Sequence, residues 1–243
     1  MLNYLWLIPI TPFLGFLLNG LFGNRAGKGF VTAVALAASL GAALLGTAAV
    51  FAYAGHAHHG ERYVNVVYEW FNSAGIGTDI AFQLDPLSVV MLMVVTWIGF
   101  LIHVYSVGYM HHEEGYWRYF AYLNLFLAAM LILILGSSYL FLFVGWEGVG
   151  LCSYLLIGFY YDTGYAPPAG KKAFIVNRIG DFGFLIAMFL MFAYIGSVDF
   201  AKVQQVASAG GVEAGILTAI CLLMFVGAAG KSAQIPLYVW LPD

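Results

Sequence analysis

Seven long apolar stretches constrain this chain more than any other feature of its sequence. Each is 18 residues or longer and carries few charged side chains, which is enough for a helix to cross a bilayer. Open sheets and loops cannot face lipid, so segments of this length predict α-helices. The predicted fold class is therefore an all-α polytopic membrane protein with about seven transmembrane helices. The predicted spans are Leu5–Phe22, Phe30–Tyr53, Pro86–Met110, Tyr116–Leu135, Tyr139–Tyr160, Ala173–Ile195 and Ala214–Ile235.

The composition supports a membrane protein and argues against a soluble domain and a nucleic-acid-binding protein. Hydrophobic residues make up 63% and charged residues 9%, whereas soluble domains have about 25% charged residues. The net charge of −3 gives no basic footprint for nucleic acid. Cys152 and Cys221 lack CxxC spacing, so the chain has no cysteine ligand set for an iron–sulfur cluster.

The basic residues predict which side of the membrane each loop faces. Of the nine basic residues, six fall on one side of the seven spans and only Arg62 and Lys202 fall on the other, while Lys231 lies within a span. Cytoplasmic loops are enriched in Lys and Arg, so we expect the N-terminus to lie on the periplasmic side and the C-terminus in the cytoplasm. The six are Arg25, Lys28, Arg118, Lys171, Lys172 and Arg178.

The longest connection between spans, residues 54–85, predicts a short β-hairpin on the outer face. Tyr63–Phe71 is rich in β-formers, and Thr78–Leu84 alternates apolar and polar residues, with turn residues between them. Asp85 before Pro86 is typical of a helix start. The histidines at His56, His58 and His59 resemble a metal-binding tract, but solvated histidines in a polar loop are the favoured interpretation.

The fifth span carries an ionisable residue at its middle. Glu147 lies among Gly145, Gly148 and Gly150. A charge at this depth is costly and is therefore a functional candidate by default. Glycines let another helix approach closely, so the sequence predicts an acid buried inside a helical bundle.

The seventh span carries a basic residue next to a helix break. Lys231 follows at least sixteen uncharged residues, and Pro236 comes shortly after it. Proline removes a helical hydrogen bond, and broken helices occur in membranes where protein or a water-filled cavity satisfies the freed groups. Transporters place ion sites at such breaks, although a lysine that reaches toward the interface is the plainer alternative.

Glu147 and Lys231 on separate spans predict a buried pair that exchanges protons. Each charge stabilises the other when they are close, and separation drives the lysine to release a proton and the carboxylate to bind one. At the start of the sixth span, Arg178 and Asp181 are neighbours at i, i+3; they form either a local ion pair or an entrance that tunes the acid. His103 is either a relay residue or, as we favour, a packed histidine.

Five uninterrupted motifs stand out along the chain: Asp85–Ser88, Phe120–Phe126, Phe143–Gly158, Lys172–Gly183 and Gly230–Leu237. They resemble the antiporter-like L subunit (chain 5) of proton-pumping NADH:quinone oxidoreductase, respiratory complex I. The similarity extends over essentially the whole chain. Mrp-type cation/proton antiporter subunits share the glutamate and lysine context and are the alternative; a structural membrane scaffold is a further alternative.

The resemblance implies roles for individual residues. Glu147 matches the family's pumping glutamate, Lys231 matches the lysine of its broken helix, and Arg178 with Asp181 matches a modulating pair. It also implies that the chain is a subunit of an enzyme. The chain itself would perform no redox catalysis and bind no cofactor or metal. NADH, FMN, iron–sulfur clusters and quinone would bind to other subunits.

The resemblance further implies the surroundings of the chain. The expected partners are protons, the lipid bilayer and other membrane subunits, above all a neighbouring antiporter-like subunit. The expected location is the bacterial inner membrane, with a mitochondrial or plastid membrane as the less favoured alternative. Family members have about twice this many spans or more, arranged as two inverted repeats. We therefore expect residues 1–115 to form an N-terminal region and residues 116–243 a first, incomplete repeat, and the chain to be a fragment or an incomplete gene model.

Overall fold

The computed structural model describes residues 1–56, 61–73 and 76–242 and is almost entirely helical. A 3₁₀ turn at Leu2–Tyr4 comes before the first helix. The helices are α1 (Leu7–Ala26), α2 (Lys28–His56), α3 (Pro86–Tyr109), α4 (Tyr116–Leu135), α5 (Tyr139–Ile157), α6 (Ala166–Tyr194), α7 (Phe200–Ser208) and α8 (Ala214–Lys231), with strands β1 (Tyr63–Ser73) and β2 (Ile76–Leu84) between α2 and α3.

The predicted spans agree with the structure. Within the described ranges, seven helices are long and apolar enough to cross a membrane, and each matches one predicted span. The predicted hairpin is present as the two-stranded sheet of β1 and β2. The histidine tract lies outside the described residues at His58 and His59, and only the backbone of His56 is described, at the end of α2.

The start of α3 shows why its boundary was predictable from local sequence. The Ser88 backbone N–H donates to Asp85 Oδ1 at 2.7 Å, and the Asp85 N–H donates to Ser88 Oγ at 2.7 Å. These reciprocal bonds form a capping box that satisfies two free donors at the helix start. Pro86 follows at the first helical position, where its missing N–H has no cost.

Several boundaries differ from the sequence prediction by a few residues, and one helix was not predicted. Helix α6 begins at Ala166, seven residues before the predicted Ala173, because prolines are tolerated in the first helical turn. Helix α8 ends at Lys231 rather than at Ile235. Helix α7 was not predicted; it has nine residues and begins at Phe200. Asp199 is its N-cap residue, and the Asp199 carboxylate accepts bonds from the Ala201 and Lys202 N–H groups.

Two compact units make up the chain. The first comprises residues 1–67, 81–137 and 141–152, and the second comprises residues 68–80, 138–140 and 153–242 of the described chain. In the first unit, α1 packs on α2 and α4, and α3 packs on α2 and α4. Close approach occurs at Gly15, where an added methyl group would lie 2.7 Å from Ala38 Cβ and 2.9 Å from Asn124 Oδ1.

In the second unit, α6 and α8 pack against each other along a seam of glycines. A methyl group on Gly180 would lie 3.2 Å from Gly230 Cα, and one on Gly227 would lie 3.1 Å from Phe184 Cβ. Small residues at these crossing points bring the two backbones together, as is usual for helices in lipid. This seam positions the charged residues described next.

Candidate functional site: a carboxylate–lysine pair between two helices

Lys231 is the last residue of α8, at the point where the helix stops. The Ser232 N–H donates to the Ala228 carbonyl and the Gln234 N–H donates to the Ala229 carbonyl, both at 2.9 Å. Ala233 adopts a left-handed backbone conformation with φ of 50° as the chain turns. The break therefore begins five residues before Pro236, and it leaves a cation at the negative end of the helix dipole, which favours it.

An indole side chain forms a hydrogen bond to the last turn of α8. The Trp240 Nε1–H donates to the Gly230 carbonyl at 3.1 Å, and this carbonyl also accepts from the Ala233 N–H at 3.3 Å. The last carbonyls of a helix have no intrahelical partner, and a free carbonyl in an apolar setting is costly. Sequence analysis missed this role, since a tryptophan ten residues from its partner leaves no periodic signal.

Asp181 lies on α6 directly opposite Lys231. Its Oδ2 atom is 3.9 Å from Lys231 Nζ, and the two side chains are 3% and 18% exposed. This separation is that of an ion pair and is longer than a hydrogen bond. Both groups lie on membrane-spanning helices, where each charge is costly alone and is stabilised by the other.

The glycine seam makes this approach possible. Gly180 and Gly230 directly precede Asp181 and Lys231, and the methyl group that Gly230 lacks would lie 3.3 Å from Gly180 Cα. A larger residue at either position would force the helices apart. The two charged residues thus meet because their sequence neighbours have no side chains.

Arg178 precedes Asp181 by three residues on α6 and is more exposed than Asp181. Its side chain is exposed, and its guanidinium carbon lies 5.0 Å from the centre of the Phe174 ring. A guanidinium over an aromatic face is a cation–π contact. The modulating role predicted for Arg178 stays a prediction.

Glu147 lies on α5 in the first unit and is half-buried. The predicted close approach at its glycines is present: a methyl group on Gly145 would lie 2.5 Å from Leu133 N, and one on Gly148 would lie 2.9 Å from Ala129 Cβ. Helix α4 therefore packs directly on α5 beside the acid. The predicted pairing of Glu147 with Lys231 stays a prediction.

His103 on α3 is 1% exposed, and its Nδ1 lies 2.7 Å from the Gly99 carbonyl. A carbonyl only accepts, so Nδ1 carries a hydrogen and donates it. Nε2 has no hydrogen-bond partner in the described part of the chain. His103 borders an apolar cavity of about 230 Å³ between α3 and α4. This environment favours the packed interpretation, and a relay role stays a prediction.

Metal ligation finds no support in the described ranges. No group of three or more His, Cys, Asp or Glu side chains in residues 1–56, 61–73 and 76–242 could hold a metal ion.

Comparison with known proteins identifies two family regions. Residues 136–243 match the family model for the transmembrane part of NADH:quinone oxidoreductase and the Mrp antiporter. Residues 70–120 match the model for the N-terminus of chain 5 of NADH-ubiquinone oxidoreductase, complex I. Together the two regions cover well over half of the chain, and they include Glu147, Asp181 and Lys231.

Curated relatives are similar over nearly the whole chain. The chain is 41% identical to NADH-quinone oxidoreductase subunit L of Neisseria meningitidis serogroup A, over 98% of this chain and 36% of the relative. It is 42% identical to subunit L of Mycobacterium tuberculosis H37Rv, over 99% and 38%, and 41% identical to that of Escherichia coli K12, over 100% and 39%. The chain thus spans somewhat more than a third of the length of these relatives.

Solved structures show the same fold in other membrane complexes. The Mrp complex of Dietzia sp. DQ12-45-1b aligns with a TM-score of 0.78 and 26% identity, over 98% of this chain and 25% of that chain. An archaeal membrane-bound sulfane sulfur reductase aligns with a TM-score of 0.81 at 19% identity, over 99% and 47%, which shows the fold alone. The chain belongs to the family of antiporter-like membrane subunits that includes subunit L of NADH-quinone oxidoreductase.

Proposed function

We propose that this protein is a proton-translocating membrane subunit of NADH:quinone oxidoreductase, in which Lys231, Asp181 and Glu147 carry protons. The contact between Asp181 and Lys231 on two membrane-spanning helices is the observation that supports this most directly. Replacing a buried ion pair by apolar residues is often neutral or stabilising, so stability alone is a weak reason for such a pair.

The proposed chemistry needs only a change in the distance between charges. While Lys231 lies beside Asp181, its ammonium form is stabilised. When the two groups separate, the lysine releases its proton to water. The carboxylate, which no longer has a cation beside it, then binds a proton. We propose that Glu147 is the second carboxylate with which Lys231 exchanges, and that Arg178 tunes the charge of Asp181.

The energy for this separation would come from other subunits. Within this proposal the chain itself binds no redox cofactor, and NADH, FMN, iron–sulfur clusters and quinone bind elsewhere in the complex. Its partners are other membrane subunits, above all a neighbouring antiporter-like subunit. The proposed location is the bacterial inner membrane, with the N-terminus in the periplasm.

The test is NADH-driven proton uptake into membrane vesicles that contain the assembled complex. We expect Lys231→Ala, Asp181→Asn and Glu147→Gln each to reduce proton uptake while the complex remains assembled. Lys202→Ala is the matched control, because Lys202 is an exposed lysine on α7 of the same unit. Wild-type uptake in all three variants would contradict the proposal and favour a structural scaffold.

A second candidate function is cation/proton antiport of the Mrp type. The alignment with the Mrp complex at 26% identity favours it. The two functions differ in what they require: antiport predicts proton exchange that depends on sodium and proceeds without NADH. Uptake that requires NADH and is unchanged by sodium would contradict the antiport function.

A further inference from the structure

Asn177 has a buried side-chain oxygen that the ion pair leaves unexplained. This residue is 6% exposed, and its Nδ2–H donates to the Ala173 carbonyl at 2.8 Å. Its Oδ1 has no hydrogen-bond partner within the described residues. A buried acceptor without a donor is unfavourable. We therefore expect a hydrogen-bond donor to approach the Asn177 oxygen when the side chains of the site take another position.

Asn177 lies on the face of α6 that packs against the end of α8. Asn177 precedes Asp181 by four residues on α6, so the two side chains lie on the same helix face, one turn apart. That face packs on the end of α8: a methyl group on Gly230 would lie 3.7 Å from the Asn177 backbone carbonyl oxygen. The residue after Gly230 is Lys231, whose side chain carries N–H donors on a flexible four-carbon stem.

We infer that the Asn177 side-chain oxygen is a second acceptor for the Lys231 amine, one helical turn from Asp181. The inference rests on the proposed function and makes Asn177 a positioning residue of the same site. The displacement required is about 5.4 Å along α6, and rotation about the stem of a lysine covers that distance.

The two acceptors differ in charge, which gives each a separate role. The Asp181 carboxylate attracts the ammonium form of Lys231. The Asn177 amide is neutral and can accept a hydrogen bond either from an ammonium or from an uncharged amine, since both carry N–H groups. Asn177 therefore holds the lysine after it leaves the carboxylate, in the state from which it gives its proton to water.

Another asparagine in the chain provides a matched control. Asn124 on α4 is 0% exposed and makes the same intrahelical bond, from Nδ2–H to the Phe120 carbonyl at 2.9 Å. Its Oδ1 also lacks a partner in the described chain, but it faces Gly15. A loss caused only by removing a buried asparagine would appear equally at both positions.

The test compares Asn177→Ala, Asn177→Ser and Asn124→Ala in vesicles that contain the assembled complex. Alanine and serine leave voids of similar size, and only serine keeps an oxygen acceptor. Loss of a hydrogen bond to a charged group predicts that Asn177→Ala lowers proton uptake per NADH oxidised by about fivefold or more. We expect Asn177→Ser to keep at least about half of the wild-type ratio, because its hydroxyl still accepts a hydrogen bond, and Asn124→Ala to match the wild type.

Three outcomes would overturn the inference. They are a wild-type ratio in Asn177→Ala, equal losses in Asn177→Ala and Asn177→Ser, and an equal loss in Asn124→Ala. Lys231→Ala and Asp181→Asn, measured in parallel, test the proposed function separately. If these two lower uptake and Asn177→Ala does not, the inference fails and the proposed function stands.

Discussion

At the scale of single residues, the site depends on the balance between Asp181 and Lys231. The two charges lie 3.9 Å apart; the Asp181 side chain is buried and the Lys231 side chain is mostly covered. Removing one partner of a buried pair leaves an uncompensated charge, which typically costs about 3–5 kcal/mol. The effect of a substitution therefore depends on which partner changes and on whether the other changes with it.

Asp181→Asn removes the charge and keeps the shape of the side chain. We expect the assembled complex to unfold at a lower temperature, because Lys231 loses its counter-charge. The double variant Asp181→Asn/Lys231→Met, with no charge at either position, should recover most of the lost thermal stability but not proton uptake. Thermal unfolding of the detergent-purified complex measures the stability. If the double variant recovered neither stability nor proton uptake, or recovered both, this account would be contradicted.

His103 should tolerate substitution by a residue that makes the same local contact. His103→Gln keeps a polar side chain within reach of the Gly99 carbonyl, to which Nδ1 now donates. If the histidine is packed rather than part of a relay, proton uptake should remain within about twofold of the wild type, since a surviving hydrogen bond costs little. A tenfold loss of uptake with the complex intact would instead assign His103 to the proton route.

At the scale of helices, two glycine contacts hold the elements that carry charge. Gly145 brings α5 against α4 in the first unit, and Gly180 and Gly230 bring α6 against α8 in the second. In lipid there is little hydrophobic drive for helices to associate, so close backbone packing contributes much of their attraction. The glycines therefore act on function by setting the distance between helices.

Gly145→Ala tests the contact between α4 and α5. The new methyl group would lie 2.5 Å from Leu133 N and 2.8 Å from the Ala129 carbonyl oxygen, both backbone atoms that cannot rotate away. We expect the amount of assembled complex in membranes to fall several-fold. Gly20→Ala on α1 is the control, because a methyl group there meets nothing within 4 Å; equal losses in both variants would refute the packing explanation.

The sequence predicted the elements well where the determinant was local. Span lengths, the alternation in β2 and the capping box at Asp85 are all encoded within a few residues. Helix α7 was missed because it is too short to span and its apolar positions, such as Phe200 and Val203, are few. The predicted end of α8 was too late. Pro236 removes only the donor that would bond to the Ser232 carbonyl, whereas the chain already turns at Ala233.

The candidate site was predictable in its members but not in its contacts. Glu147, Asp181 and Lys231 stood out because ionisable groups are rare in apolar spans. Which of the two carboxylates lies beside Lys231 depends on how the helices pack, and periodicity along one helix carries no information on that. The glycines that directly precede Asp181 and Lys231 were the available signal for the contact between α6 and α8.

At the scale of the whole molecule, the distribution of basic residues predicts orientation. The helix ends that carry Arg25, Lys28 and Lys171 alternate along the chain with connections whose basic residues are only Arg62 and Lys202. Since short loops rich in Lys and Arg stay in the cytoplasm, the connection between α5 and α6 should be cytoplasmic and the segment with α7 periplasmic.

Thiol labelling in intact cells tests this orientation. Asp162 in the α5–α6 connection and Gln204 on α7 are both exposed and belong to the same unit. In a Cys221→Ser background, Gln204→Cys should react with a membrane-impermeant maleimide added outside the inner membrane, and Asp162→Cys should react only after the cells are opened. Cys152 is buried and should stay unlabelled in both. The reverse pattern would place the N-terminus in the cytoplasm and contradict the orientation predicted from the basic residues.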